Sequence, residues 1–522
     1  MKRKVFSILF LLLATVLLLA LASCAKAPNL DAMAPNKGDN ENYPNNAPSY
    51  APDATQPEAA PSEPDEKPND DNPNKFQENP FINTEVSNVS TLSADVDTAS
   101  YTYFRKLVNN GYSFEELSRF SSNFRTEEFL NYFKYSATQP GENELFSVNP
   151  SIFPCPWNES NVLFSMTLQA ADAVPAEGNN LVFLIDVSGS MSSRDKLPLL
   201  KKAFSYLVDQ LDENDKISIV TYSGRESVVL DGCAGNKKLM ILAAINLLTA
   251  NGSTNGEAGL QKAYELAQKH FIEGGNNRII MASDGDLNVG ISSQEELKNY
   301  IIEKREAGIF LSVLGFGTGN YRDEKMETLA DNGNGVYLYV DGEAEAEKIF
   351  STDLFANLYT VAKDVKMQIT FNKEYVLAYR LIGYENRLLN EEDFTDDTKD
   401  AGEVGAGHQV TVFYELCLNE NALAATDKAW LDLAVNYKLP DETTSVFPNL
   451  YEIGSHDYTE TADADRAFMV AVIETCMLLH DSQYLPTGFD LGDVLEQLYA
   501  LDLTDYPERA EFRELLTQLN TR

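Results

Sequence analysis

At 522 residues the chain is too long for one ordinary core, and its length predicts about three folded units. The formal net charge of −39 excludes nucleic acid and direct adhesion to an anionic lipid surface, since both require a basic face. Four histidines scattered along the chain offer no paired nucleophile and base, and no phosphate-binding GxxxxGK[ST], HExxH or GxSxG motif is present.

The chain opens on Lys2-Arg3-Lys4 and an apolar run from Val5 to Ala22, the pattern of a secretory signal. The run closes on Leu21-Ala22-Ser23-Cys24, which resembles the lipobox of bacterial lipoproteins. That resemblance implies a signal peptide over 1–23 and a diacylglycerol on the Cys24 thiol, hence an extracytoplasmic protein tethered to the membrane through its N-terminal lipid alone. Residues 24–80 are crowded with Pro, Asn, Asp and Glu, so they bury too little surface to offset the entropy of ordering and are expected to form a solvated tether. No other apolar run approaches the roughly 20 residues of a membrane span. Cys155, Cys233, Cys417 and Cys476 lack CxxC spacing and are expected to be mostly buried thiols.

An N-terminal accessory region is expected over 81–176, with helices at Tyr101 to Asn109 and Glu127 to Tyr135 and a strand at Val162 to Leu168. From 177 to 360 short apolar runs alternate with amphipathic windows, which predicts an α/β unit with a central, mostly parallel sheet and helices on both faces. Its strands fall at Leu181 to Asp186, Lys216 to Tyr222, Ser227 to Leu230, Arg278 to Ala282, Phe310 to Gly315 and Val336 to Val340. The intervening helices are Leu197 to Leu211, Lys237 to Leu248, Glu257 to His270, Gln294 to Glu306, Asp323 to Asn332 and Glu343 to Tyr359. A C-terminal accessory region, 361–522, begins with alternating strands at Val365 to Phe371, Val410 to Cys417 and Leu431 to Tyr437. It ends in helices at Asp463 to His480, Leu491 to Leu501 and Glu508 to Leu519. Strand-like segments on both sides of the α/β unit predict that it is inserted into one β-sandwich.

The first strand of that unit runs into Asp186-Val187-Ser188-Gly189-Ser190, whose alternate spacing turns a carboxylate and two hydroxyls to one side. A second loop offers Thr254 and the fourth strand ends at Asp284, so hard oxygens from three loops meet where ligands bind in doubly wound sheets. Asp286 reads as a loop residue. An all-oxygen set with few carboxylates suits Mg²⁺, with Mn²⁺ or Ca²⁺ as alternatives. These motifs resemble the metal-ion-dependent adhesion site of von Willebrand factor type A domains, with a Rossmann-like fold. The resemblance implies that Ser188, Ser190 and Thr254 bind the metal directly, that Asp186 and Asp284 act directly or through water, and that a protein partner's acidic residue completes the shell. The flanks, including Leu92-Ser93-Ala94-Asp95-Val96-Asp97-Thr98, resemble the accessory regions of exported bacterial proteins that carry this domain.

The resulting reading is a non-enzymatic adhesion or binding protein of the bacterial cell envelope. Its rival is a structural or assembly subunit in which the metal only stabilises the fold. A remoter alternative is a hydrolase using Asp95 and Asp97, whose DxDT spacing approximates a phosphatase nucleophile motif. His480, beside Leu478 and Leu479, is expected to be packed rather than catalytic.

Overall fold

The computed structural model describes residues 76–521 apart from 143, 173–176, 253–255, 286–293, 318–322, 354–355, 357, 426 and 441. Cys24, most of the tether, Thr254 and Asp286 therefore lie outside the described residues. Ahead of the α/β unit run β1 (Ile82–Asn83), β2 (Val89–Ser93), β3 (Phe146–Pro154) and β4 (Asn161–Ala170). The unit contributes β5 (Asn179–Asp186), β6 (Lys216–Tyr222), β7 (Glu226–Ala234), β8 (Asn276–Ser283), β9 (Phe310–Gly315) and β10 (Tyr337–Tyr339). After it come β11 (Thr360–Phe371), β12 (Val376–Ile382), β13 (Leu388–Leu389), β14 (Gly402–Gly405), β15 (Gln409–Leu418), β16 (Ala429–Lys438) and β17 (Val446–Gly454).

The α/β sheet has the order β10-β9-β8-β5-β6-β7, parallel throughout except for the antiparallel edge strand β7. Every side chain of β5 is buried, and alternation sorts them: Leu181, Phe183 and Ile185 join one core, Val182 and Leu184 the other. The first face is covered by Leu197–Gln210 and Lys238–Asn246, with Phe204 stacked on Phe183 at 4.2 Å. The second is covered by Glu257–Lys269, Gln294–Glu306 and Asp323–Asn332 through Tyr264, Ile301 and Met326. This is the doubly wound architecture expected from near-continuous apolar strands. The helix predicted over Glu343 to Tyr359 is shorter: an α-helix, Glu343–Glu347, widens into a π turn at Lys348–Thr352.

Two further sheets draw strands from both sides of this unit, with orders β1-β12-β15-β4-β3 and β13-β2-β11-β16-β17. Their inner faces meet in one core, where Phe371 stacks on Tyr379 at 4.1 Å and Phe146 meets Tyr437 edge-on at 5.1 Å. The α/β unit is thus an insertion in a sandwich. Strands β3 and β12 escape the alternation rule: both carry irregular burial patterns, and β4, the partner of β3, is buried at every position. The C-terminal helices Ala464–Leu479 and Pro507–Asn520 pack on Ala99–Asn109 and Thr126–Tyr132 through Phe468, Phe512, Tyr101 and Phe133, and Leu491–Ala500 packs on those two C-terminal helices. The second N-terminal helix stops at Tyr132, three residues short of the expected end. Among the described residues no helix is long and apolar enough to cross a membrane. All four described cysteines are free thiols, Cys155 and Cys476 buried, Cys233 and Cys417 half-buried.

His480 is buried, with Nε2 donating to the Phe124 carbonyl at 2.7 Å and its ring stacked on Phe76 at 3.6 Å. Burial outweighs the two carbonyls beside it and lowers its pKa to about 4. The unfolded chain therefore binds the extra proton between the ordinary value near 6.5 and about 4, and stability falls with pH across that window. Between pH 7 and pH 5 this one group is expected to remove about 2 kcal/mol from the unfolding free energy. Urea midpoints at both pH values check it: His480→Gln should flatten the slope by that amount, and an unchanged slope would dismiss the buried histidine as its source.

Candidate metal centre

Strand β5 pairs with β6 on one side and β8 on the other, so the chain reverses its winding between β5 and β8 and leaves a crevice at their C-terminal ends. Asp186 is the last residue of β5 and Asp284 follows the end of β8 directly; both are buried, 0% and 2% exposed. Asp186 Oδ1 accepts the Ser188 N–H at 2.8 Å, a local turn that swings the next residues across the strand end. Ser188 is buried and Ser190 exposed, and their hydroxyl oxygens lie 2.9 Å apart. The loop that leads to Thr254 is tied to this turn by backbone bonds, Gly189 N–H to Gly252 O at 3.0 Å and Asn251 N–H to Val187 O at 2.7 Å. Gly252 (φ +92°) and Gly285 (φ +90°) supply the left-handed backbone that these two loops need.

The structure thus brings Asp186, Ser188, Ser190 and Asp284 to one sheet edge, while the side chain of Thr254 is outside the described residues. The donor set fits a hard divalent cation. The two serine hydroxyls are hydrogen-bonded to each other at 2.9 Å, a separation also met by two oxygens bound cis to Mg²⁺ at about 2.0 to 2.1 Å. With only two carboxylates, the set differs from a cluster of three or more His, Cys, Asp or Glu side chains, and no such cluster able to hold a metal occurs among the described residues.

Three residues that motif spacing did not reveal complete the surroundings. The Tyr222 hydroxyl is pushed well above its ordinary pKa by burial and then by the charges of Asp186 and Asp284. The Ser283 hydroxyl accepts the Gly285 N–H at 3.2 Å, and the Lys196 ammonium lies 3.1 Å from Asp284 Oδ2. Tyr222 ends the strand expected over Lys216 to Tyr222, and Lys196 immediately precedes the helix Leu197–Gln210.

The second acidic motif has another use. Asp95 and Asp97 are 4% exposed; Asp95 Oδ1 accepts the Asp97 N–H at 3.0 Å and its Oδ2 accepts Arg387 Nε at 3.2 Å. Asp97 Oδ1 accepts the Tyr337 N–H at 2.9 Å, and Arg387 continues to Glu327 and Asp331 at 3.0 and 2.9 Å. These carboxylates fasten the N-terminal segment to β10 and to the helix Asp323–Asn332. The hydrolase alternative thereby loses its solvent-accessible nucleophile.

Comparison with known proteins bears on all three parts of the chain. The family described as "von Willebrand factor type A domain" matches residues 180–352, "von Willebrand factor" matches 67–165, and "Uncharacterized protein YfbK, C-terminal" matches 356–521. The chain is 39% identical over 437 residues to "Uncharacterized protein YfbK" of Escherichia coli (strain K12), covering 79% of this chain and 74% of that protein. It is 28% identical over 187 residues to "Inter-alpha-trypsin inhibitor heavy chain H3" of Homo sapiens, which spans 34% of this chain but only 21% of that protein. Among solved structures, "von Willebrand factor type A from Catenulispora acidiphila" aligns over 72% of this chain and 90% of that one, at 14% identity and a TM-score of 0.40.

Proposed function

Because the chain belongs to the YfbK family of von Willebrand factor type A domain proteins, whose central domain often mediates metal-dependent protein binding, we propose that it is a lipid-anchored binding protein of the bacterial cell envelope. In this reading Asp186, Ser188, Ser190, Thr254 and Asp284 hold Mg²⁺ and a protein partner presents a carboxylate to it. The observation that carries the reading is the pair of serine hydroxyls 2.9 Å apart beside two buried carboxylates at the switch point of the sheet. A bound divalent cation would supply a positive centre on a chain whose net charge of −39 otherwise repels acidic ligands. Ser190, exposed at the rim, and Ser188, buried behind it, would hold the cation within reach of a docking surface. The backbone bonds from Gly189 and Asn251 keep the two loops in step. Cys24 would carry the lipid, for which two or three acyl chains are needed to anchor firmly.

The test is partner capture from native membranes by the full chain, with Mg²⁺ and with EDTA. Chelation is expected to weaken capture at least about tenfold, roughly 1.4 kcal/mol, with unchanged circular dichroism. Mg²⁺ that raises thermal stability while capture survives chelation would transfer the site to the rival, purely structural role. In the same experiment Cys24→Ser should move the chain into the soluble fraction or stall its processing, and persistent lipid labelling of that variant would remove the anchor.

A further inference from the structure

The loop between the DxSxS motif and the helix Leu197–Gln210 delivers a cation to the site. Lys196 Nζ lies 3.1 Å from Asp284 Oδ2, with the two side chains 13% and 0% exposed. The lysine stem is seated against Gly317, where an added Cβ would fall 2.2 Å from Lys196 Cε, so the bare left-handed glycine (φ +75°) leaves its path open. Its backbone is held on both sides: the N–H donates to Ser193 O at 3.2 Å, and the carbonyl accepts the Leu200 N–H at 2.8 Å. The preceding residue, Asp195, accepts Ser193 Oγ at 2.6 Å and meets Lys106 Nζ of the accessory helix Ala99–Asn109 at 3.3 Å. The ammonium is therefore aimed at the carboxylate by its loop and by the accessory helix.

Asp186 and Asp284 place two buried acidic groups at one sheet edge. Buried charge of one sign is costly unless a counter-charge is supplied. Any divalent cation approaching Asp284 meets an ammonium already beside that carboxylate.

We propose that Lys196 is the resident counter-cation of this centre, which neutralises Asp284 when no metal is bound and competes with the divalent cation for it, so that it sets the cation affinity. The proposal rests on the metal reading above and names a residue outside the ligand set. It also gives the accessory helix a part in the site, because Lys106 fixes the loop that aims the ammonium.

Mg²⁺ titrated calorimetrically into the full chain tests it with wild type, Lys196→Met and Lys196→Arg. The neutral variant is expected to bind Mg²⁺ at least about tenfold more tightly than wild type, while the arginine variant, which keeps the charge, stays close to wild type. Equal or weaker binding by Lys196→Met, with wild type binding normally, overturns the role of Lys196 and leaves the metal site standing. No binding by any of the three overturns the metal site and the proposal together. Should Lys196→Met fail to fold without metal, amine-specific labelling of wild type decides the matter. Saturating Mg²⁺ should raise the labelling rate of Lys196 at least about tenfold relative to Lys201, and an unchanged ratio overturns the proposal.

Discussion

Asp186→Ala combined with Ser188→Ala is expected to abolish the stabilisation that Mg²⁺ confers, without unfolding the chain. A ligand that binds only the folded state adds about 2.7 kcal/mol at a concentration one hundred times its Kd, so the wild-type shift is large enough to read from denaturant midpoints. The substitutions remove one buried carboxylate and one hydroxyl of the serine pair. They also remove the turn in which Asp186 Oδ1 accepts the Ser188 N–H at 2.8 Å, a loss of about 1 kcal/mol. Against that loss, one of two neighbouring buried acidic groups disappears while Lys196 still pairs with Asp284 at 3.1 Å. The variant in EDTA should therefore be about as stable as wild type in EDTA, and the two should diverge only when Mg²⁺ is added. A variant that retains the wild-type Mg²⁺ isotherm would remove these residues from the ligand set.

What could be read in advance, and what could not, follows from the range of the interactions. The inner strands of the α/β unit announce themselves because they are buried on both faces, so the apolar run and the strand coincide: Phe310–Gly315 occupies the expected span, and β5 and β8 extend theirs by one or two residues at the ends. The approach of Asp186, Ser188 and Ser190 is local, set by period two and a tight turn. Other features depend on partners far along the chain. Strand β2 is a strand because it pairs with β11, Leu92 opposite Met367. Asp97 accepts its hydrogen bond from a residue 240 positions on, which makes a motif that resembles a nucleophile into a clamp. Lys196 is 88 positions from Asp284, and no spacing rule connects them. Strand β4, expected over Val162 to Leu168, spans Asn161–Ala170 and is buried at every position.

Arg105→Ala is expected to cost about 3 to 5 kcal/mol, the usual penalty for stranding buried charges by deleting one partner. Arg105 is 6% exposed in the helix Ala99–Asn109 and joins three segments of the chain at once. Its Nε and Nη2 engage both Asp341 oxygens at 2.6 and 2.8 Å, Nη2 also meets Glu345 Oε2 at 2.6 Å, and Nη1 reaches Tyr132 OH at 2.7 Å and Glu511 Oε2 at 3.1 Å. Asp341 and Glu345 belong to the end of the α/β unit, and Glu511 to the last helix of the chain. Burial by itself would favour the neutral guanidine, yet its neighbours, Tyr132, Asp341 and Glu345 foremost, raise the Arg105 pKa well above the ordinary arginine value. Without the guanidinium, Asp341 and Glu345 face each other in a site where burial already raises the Asp341 pKa. Lysine cannot restore the bond pattern, since a point charge lacks the planar fork that grips a carboxylate at two atoms, so Arg105→Lys should recover only part of the loss. Two further consequences separate this network from a generic core defect. Asp341→Asn in the Arg105→Ala background should return about 2 kcal/mol or more, because the stranded charge is gone. Unfolding should also split into two transitions, as the accessory helices and the α/β unit lose the cation that couples them. A single transition at the wild-type midpoint, or a double variant no better than Arg105→Ala alone, would show that the three segments are held together by their apolar contacts, Tyr101 on Phe512 and Tyr103 on Tyr339 among them.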